Sequence, residues 1–265
     1  MDTTADARDF ELLKQDKYTF SVLSNVLGSK CRLVFTDHRS FIICHSEEPY
    51  PVWIWTADEV CDDTKETVWN LVSEHCPANK GYKFNLKYEL ADYFLMRGKE
   101  TGADTHIETH LLAYDCPSPA VPANATTGAL HCCVQSDIDE AAILHNKFFA
   151  EAGTTPTTPE QSRQKVTDHI DKGEFFFWKD DQGMTVACCD YHISGDLAYI
   201  GCVYTVPGQR RKHYAQHLVY RVTKLVSDKG YMPMLYTDAL YPASNECYRK
   251  IGYILRGELC MIAGQ

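Results

Sequence analysis

The sequence predicts a mixed-sheet α/β domain over residues 129–265, preceded by an α+β domain over residues 1–128. Three observations lead there. Patterned segments of the second half follow the order β, α, α, β, β, β, α, β, α, β, which a sheet of mixed direction accommodates and a sandwich or bundle does not. One of those helices carries Ala215, Leu218, Val219, Val222, Leu225 and Val226 at three-and-four spacing, so one whole face is apolar. Between the halves, Cys116–Gly128 (CPSPAVPANATTG) concentrates Pro, Ala, Thr and Ser as a linker or crossover does, and 265 residues exceed one ordinary compact domain.

In the first half an early helix is expected over about Phe10–Val26, then strands at Arg32–Thr36, Phe41–Cys44 and Val52–Thr56, and a second helix near Asp63–Glu74. Trp53 and Trp55 share one face of their strand while Val52 and Ile54 share the other, which marks a central strand buried on both sides. His106 and His110 stand at a helical metal-binding spacing, but Ile107, Thr109, Leu111 and Ala113 alternate, so the segment is a strand. On a strand the two histidines are about 13 Å apart and cannot share one ion. Arg97, Gly98 and Lys99, with Gly102, resemble a phosphate loop, yet no apolar helical stripe follows, and the segment is expected to be a turn.

The second half begins with a strand at Leu130–Val134 and helices at Asp137–Ala152 and Pro159–Asp171. Strands follow at Glu174–Trp178, Met184–Tyr191 and Leu197–Val206. The amphipathic helix starts at about Lys212, with Gly230 where a C-terminal cap belongs. A strand at Met234–Thr237, a short helix at Ser244–Ile251 and a strand near Ile254–Ile262 complete the order.

Composition narrows the function classes. Hydrophobic residues make up 45% and charged residues 23%, which are globular proportions. The formal charge of −10 is uneven, with 12 basic and 20 acidic residues before position 129 and 14 and 16 after it. Nucleic-acid binding needs clustered cations and is disfavoured. Acidity can instead concentrate a cationic partner, such as a polyamine, an aminoglycoside or a lysine-bearing peptide, and it serves solubility equally well. No apolar run approaches the roughly 20 residues of a bilayer span, and the acidic start MDTTADARDFELLKQ is unlike a signal peptide, so a soluble cytoplasmic protein without a membrane partner is expected. The 12 cysteines form no CxxC pair, and the neighbours Cys132–Cys133 and Cys188–Cys189 lie in apolar strand-like runs. Reduced, buried thiols and no metal site are expected. Asn124–Thr126 spells a glycosylation triplet, which a cytoplasmic chain does not use.

The chemistry gathers at one junction. Strand residues Val203, Tyr204 and Thr205 lead through Pro207 and Gly208 into Gln209, Arg210, Arg211, Lys212, His213 and Tyr214, where the amphipathic helix begins. A helix start exposes unpaired N–H groups and a partial positive charge, and three consecutive cations suit it further to a diphosphate. A solvated turn is the competing reading of such a charge run. With Val203, Thr205, Arg210 and Ala215 in register, the junction resembles the GNAT acetyltransferase superfamily, whose loop reads Arg or Gln, two residues, Gly, one residue, then Gly or Ala; His213 stands where the family has its first glycine. A second element, ASNECYRKIGY, resembles the family's later helix and strand with Asn245, Tyr248, Gly252 and Tyr253 in register.

The resemblance covers roughly residues 129–265 and implies a GNAT fold that binds acetyl-CoA as cosubstrate. It implies that Arg210, Arg211, Lys212, His213, Tyr214 and Ala215 meet the diphosphate, that the backbone of Val203 and Thr205 bonds the pantetheine amides where parallel strands diverge beyond Val203, and that Asn245 meets the pantetheine arm. By the same resemblance the Tyr248 hydroxyl protonates the departing thiolate, while a small-molecule or peptide amine attacks directly in a ternary complex. Asn245 and Tyr248 are three residues apart and share one helix face; Tyr248 as core filler is the competing reading. No base is assigned, because Tyr199 stands at the strand position four residues before Val203 that is a carboxylate in histone-type relatives, and structural roles are favoured for Asp238, His192 and Asp190, which lie near strand ends. The alternative function is a non-catalytic acyl-CoA sensor or interaction module. The N-terminal half is read either as a degenerate GNAT-like copy or as a domain that shapes the acceptor pocket.

Overall fold

The computed structural model describes residues 1–152 and 158–264. The first half of the chain forms α1 (Ala7–Leu13), α2 (Ser21–Leu27), β1 (Leu33–Thr36), β2 (Phe41–His45), β3 (Val52–Thr56), α3 (Asp62–His75), β4 (Phe84–Leu86), α4 (Tyr88–Thr101) and β5 (His106–Asp115). The second forms β6 (Ala129–Cys132), α5 (Ile138–Ala152), α6 (Pro159–Asp171), β7 (Phe175–Lys179), β8 (Thr185–Ser194), β9 (Leu197–Thr205), α7 (Tyr214–Asp228), β10 (Met232–Asp238), α8 (Pro242–Ile251) and β11 (Ile254–Ala263). From α1 to β5, and again from α5 with α6 and β7 to β11, the order is α, α, β, β, β, α, β, α, β. Strand directions repeat too: β1–β2–β3 and β7–β8–β9 are antiparallel meanders, and β3–β4 and β9–β10 are the parallel pairs.

Two compact units result. One comprises Met1–Ala113, Thr237–Leu240 and Arg256–Gln265, the other Tyr114–Tyr236 and Tyr241–Leu255. The division falls at Tyr114, upstream of the linker read from composition, because Cys116–Gly128 is tied into the second unit: Cys116 N–H donates to the Pro233 carbonyl and Ala120 N–H to that of Ile251. The first unit takes its last strand from the far end of the chain, with β11 antiparallel to β4 through Phe84↔Ile262 and Leu86↔Cys260.

In the first unit β3 is buried at every position, as its double-sided apolar pattern requires. The expected helix over Phe10–Val26 is two helices. The break holds Asp16, whose carboxylate accepts from the Trp55 indole at 2.7 Å and meets Lys87 at 2.8 Å, so tertiary partners override the helical pattern. The Arg97–Gly102 segment, expected to be a turn, is the end of α4, with Gly102 as its left-handed cap at φ 72°. Its apolar stripe, Leu90, Ala91 and Phe94, precedes the glycines instead of following them.

In the second unit α5 and α6 cover one face of the sheet, where Ile138, Leu144, Val166 and Ile170 meet Phe175, Phe177, Cys188 and Tyr204. Thr158 caps α6 with Gln161 closing the box and Pro159 at the first position. Leu218, Val219, Val222 and Val226 of α7 are fully buried, each contributing about 1.5–3 kcal/mol. All 12 cysteines are free thiols; Cys133, Cys188 and Cys189 are buried, but Cys132 is exposed, its alternate position on β6 turning it outward. Among the described residues no helix is long and apolar enough to cross a membrane.

Candidate active site

The site is built on β9. Its parallel register with β10 runs only from Leu197↔Met232 to Tyr199↔Met234, so the two strands part four residues earlier than the sequence led us to expect. On its other edge β9 stays paired with β8 to Thr205, through a bulge where Cys202 adopts φ 47°. Val206 N–H donates to the Val186 carbonyl at 3.0 Å, so by strand alternation Val203 and Thr205 turn their backbone groups away from β8, onto the side that β10 has left. A short 3-10 turn, Pro207–Gln209, then carries the chain to α7.

At the start of α7, His213 is the cap residue in the left-handed region (φ 62°), and Arg211 before it is left-handed as well (φ 65°). The glycine expected at 213 is explained by that backbone, which a side chain adopts at a cost. No side chain caps the helix, so the N–H groups of Tyr214, Ala215 and Gln216 have no acceptor among the described residues. Arg211, Lys212 and His213 are exposed, whereas the Tyr214 side chain is buried. Arg210 is exposed too but already has partners within the protein: its Nε donates to the Thr205 carbonyl at 3.1 Å and its Nη2 meets Glu151 at 2.6 Å, with Tyr204 beneath the guanidinium. The Glu151 carboxylate holds the guanidinium pKa above its ordinary value. Lys212 reaches Gln209 at 2.7 Å.

The segment read as a linker lies along this helix start. Thr126 Oγ1 donates to the Lys212 carbonyl at 2.9 Å, the Asn124 carbonyl meets His217 Nε2 at 2.6 Å, and Asn124 Nδ2 lies 3.5 Å from His213 Nδ1. Composition marked the segment as polar and irregular but carried no signal for these contacts. Glu151 and Gly201 also went unnoticed, since neither belongs to a motif.

On α8, Asn245 and Tyr248 are buried on one face with Ile251. Asn245 Nδ2 donates to the Tyr241 carbonyl at 3.1 Å. Tyr248 packs edge-on against Tyr253, with ring centroids 5.9 Å apart, and its hydroxyl has no hydrogen bond to a described residue. Burial pushes the phenol pKa well up. Thus the backbone of β9, the α7 start and the Asn245–Tyr248 face all belong to the second unit, while the Arg210 guanidinium is committed to Glu151.

The first unit closes the equivalent places. β3 registers with β4 only at Val52↔Phe84 and Trp53↔Asn85, and just past both strands Lys87 bridges Asp58 and Asp16, each at 2.8 Å. The first turn of α3 carries Asp62 and Asp63, which repel a phosphate. His106 and His110 lie on β5 as expected, and His110 Nδ1 is 2.7 Å from the Tyr88 hydroxyl. Two clusters of potential metal ligands, His131–Cys133–Asp137 and Asp6–Asp9–His38, are held by internal contacts, His131 to Asp137 and His38 to Asp9, each at 2.8 Å.

Comparison with known proteins accords with this layout. Residues 139–253 match the model of the acetyltransferase (GNAT) family. A GCN5-related N-acetyltransferase from Sphaerobacter thermophilus superposes with a TM-score of 0.65 at 11% identity, over 98% of this chain and 93% of that one. One from Kribbella flavida gives 0.61 at 17% identity over 93% of each chain, and a GNAT-family acetyltransferase from Colwellia psychrerythraea gives 0.59 at 13%, over 100% and 99%. These likenesses show a shared fold that extends through the N-terminal half. No curated protein matches the sequence. The family match, the strand order and the parting of β9 from β10 together place the C-terminal half of this chain in the GNAT acetyltransferase superfamily.

Proposed function

We propose that the C-terminal domain transfers the acetyl group of acetyl-CoA to a primary amine by direct attack in a ternary complex. The observation that carries this reading is the uncapped start of α7, flanked by Arg211 and Lys212, at the end of a strand whose neighbour has departed. The start of α7 from His213 to Ala215, with its acceptor-less Tyr214 and Ala215 amides and with Arg211 and Lys212, holds the diphosphate, while Arg210 braces the loop through Thr205 and Glu151. The backbone of Val203 and of Thr205, the latter chiefly through its N–H because its carbonyl already accepts from Arg210, takes the place of a missing strand partner for the pantetheine amides, and Asn245 meets the pantetheine arm. Juxtaposing amine and thioester supplies much of the acceleration. Tyr248 protonates the departing thiolate. Burial raises its phenol, and a thiolate released beside it is destabilised by the same surroundings, so donor and acceptor stay matched. The acceptor is a small-molecule or peptide amine, its cationic character favoured by the acidic N-terminal half, and a chain with 12 free thiols fits the cytoplasm.

Two observations favour the alternative, acyl-CoA binding without transfer: the depth of Tyr248 and the commitment of Arg210 to Glu151. Calorimetry with CoA and acetyl-CoA, and thiol release with a polyamine, an aminoglycoside and a lysine peptide, separate the readings. Binding with amine-dependent release is expected, and Tyr248→Phe should lower kcat about 10²–10⁴-fold while sparing acetyl-CoA binding. Binding without release points to the sensor; no binding sinks both.

A further inference from the structure

Asp190 lies on β8 directly across from Gly201 of β9 and is only 8% exposed. A Cβ added at Gly201 would stand 2.7 Å from Asp190 Oδ1, so the carboxyl rests on the main chain of β9 in space that any other residue there would fill. Gly201 is the second residue past Tyr199, the last that β9 shares with β10, and it adjoins the Cys202 bulge. The carboxyl therefore stands where the gap between the strands opens.

No described residue gives it a hydrogen bond or an ion pair. Buried carboxylates are normally paired, and an unpaired one stabilises a sheet less than an apolar residue of its size. Cys188 and Asp190 leave β8 on the face covered by α5 and α6, where His169 and Lys165 of α6 and Glu174 before β7 are the charged groups around the carboxyl. Tyr248 neighbours Cys189, which alternates to the opposite face. Acid and candidate base thus flank the gap from its two sides. Direction matters as well: the diphosphate loop follows Thr205, so a pantetheine bonded first to Thr205 and then to Val203 runs back towards Gly201, roughly 13 Å along an extended strand. Its thioester end arrives beside Asp190.

We propose that Asp190 is the general base that takes the proton from the acceptor amine as its nitrogen attacks the thioester carbon. The proposal rests on the acetyl-CoA reading above. As the N–C bond forms and the C–S bond breaks, the nitrogen's proton passes to the Asp190 carboxylate and the thiolate takes the proton of Tyr248. Solvent then returns the proton from Asp190 to the Tyr248 phenolate, leaving an amide and a free thiol with both groups restored. Desolvation, the largest influence, pushes the Asp190 carboxyl up to about 6, with His169 acting downward and Glu174 upward, so the group is ionised at neutral pH yet far more basic than an exposed carboxylate.

The test uses the full-length chain. Asp190→Asn should lower kcat about 10²–10⁴-fold, leave the acetyl-CoA Kd within about twofold, keep or raise Tm, and abolish the rise of kcat/KM with pH through about 6. In Asp190→Ala, added formate should restore activity at least about tenfold by supplying the missing carboxylate. Asp190→Asn with an intact pH limb, or Asp190→Ala indifferent to formate, overturns the assignment while leaving acyl transfer standing. A wild-type chain that binds acetyl-CoA and releases no thiol overturns both.

Discussion

Replacing His213 by glycine should stabilise the chain by about 0.5–1 kcal/mol. His213 begins α7 at φ 62° and ψ 9°, a conformation that presses an L-residue's Cβ towards a carbonyl oxygen at about 1–2 kcal/mol. The side chain offsets little of this, since it is exposed and its polar neighbour Asn124 is 3.5 Å away. Glycine removes the strain and returns about 0.5–1 kcal/mol through the greater freedom of its unfolded state. The difference corresponds to a Tm rise of about 2–3 °C in a chain of this size. Thermal unfolding followed by circular dichroism, with His213→Ala alongside, isolates the backbone term: alanine keeps the strained angle and loses only the imidazole, so its Tm should stay within about 1 °C of the parent. A His213→Gly protein no more stable than His213→Ala would show that residue 213 does not hold a left-handed angle in solution. The acetyl-CoA Kd should barely move, because the amides that meet the diphosphate remain.

Lys87→Met leaves Asp16 without its cation and should destabilise the first unit by about 1–3 kcal/mol in denaturant titration, with CoA binding unchanged. The double change Arg211→Gln, Lys212→Gln should raise the CoA Kd about tenfold at low salt and flatten its salt dependence, as calorimetry at two ionic strengths would show. Desolvation holds buried His145, bonded to Ser162 at 3.0 Å, down to about 4 from 6.5. The unfolded ring takes a proton at higher pH than the folded one, so this contribution is complete above pH 6.5 and is lost as pH falls towards 4. Denaturant midpoints between those limits should decline, and His145→Gln should reduce the decline.

The second unit was largely legible because its elements are long and periodic. α7 shows six apolar residues at helical spacing, and the strands that became β7, β8 and β9 each carry a run of apolar residues between turn signals. β4 has three residues, too few to show a period, and α4 was hidden because its stripe precedes the glycines that drew attention. The α7 start was legible as a charge run after a strand, but the hold of Glu151 on Arg210 was not, since the partners lie 59 residues apart. Asp190 was visible only as an acid near a strand end; its importance comes from Gly201 across the ladder, which depends on a register shifted by the Cys202 bulge.

Pairing of β4 with β11 links positions as distant as Leu86 and Cys260, 174 residues apart. During synthesis β4 therefore emerges with one edge bare and waits for everything from α4 to α8 before its neighbour exists. For that interval an unsatisfied row of main-chain donors and acceptors is open to a wrong strand. The N-terminal half should consequently be the later of the two to become protease-resistant on the ribosome, although it is made first.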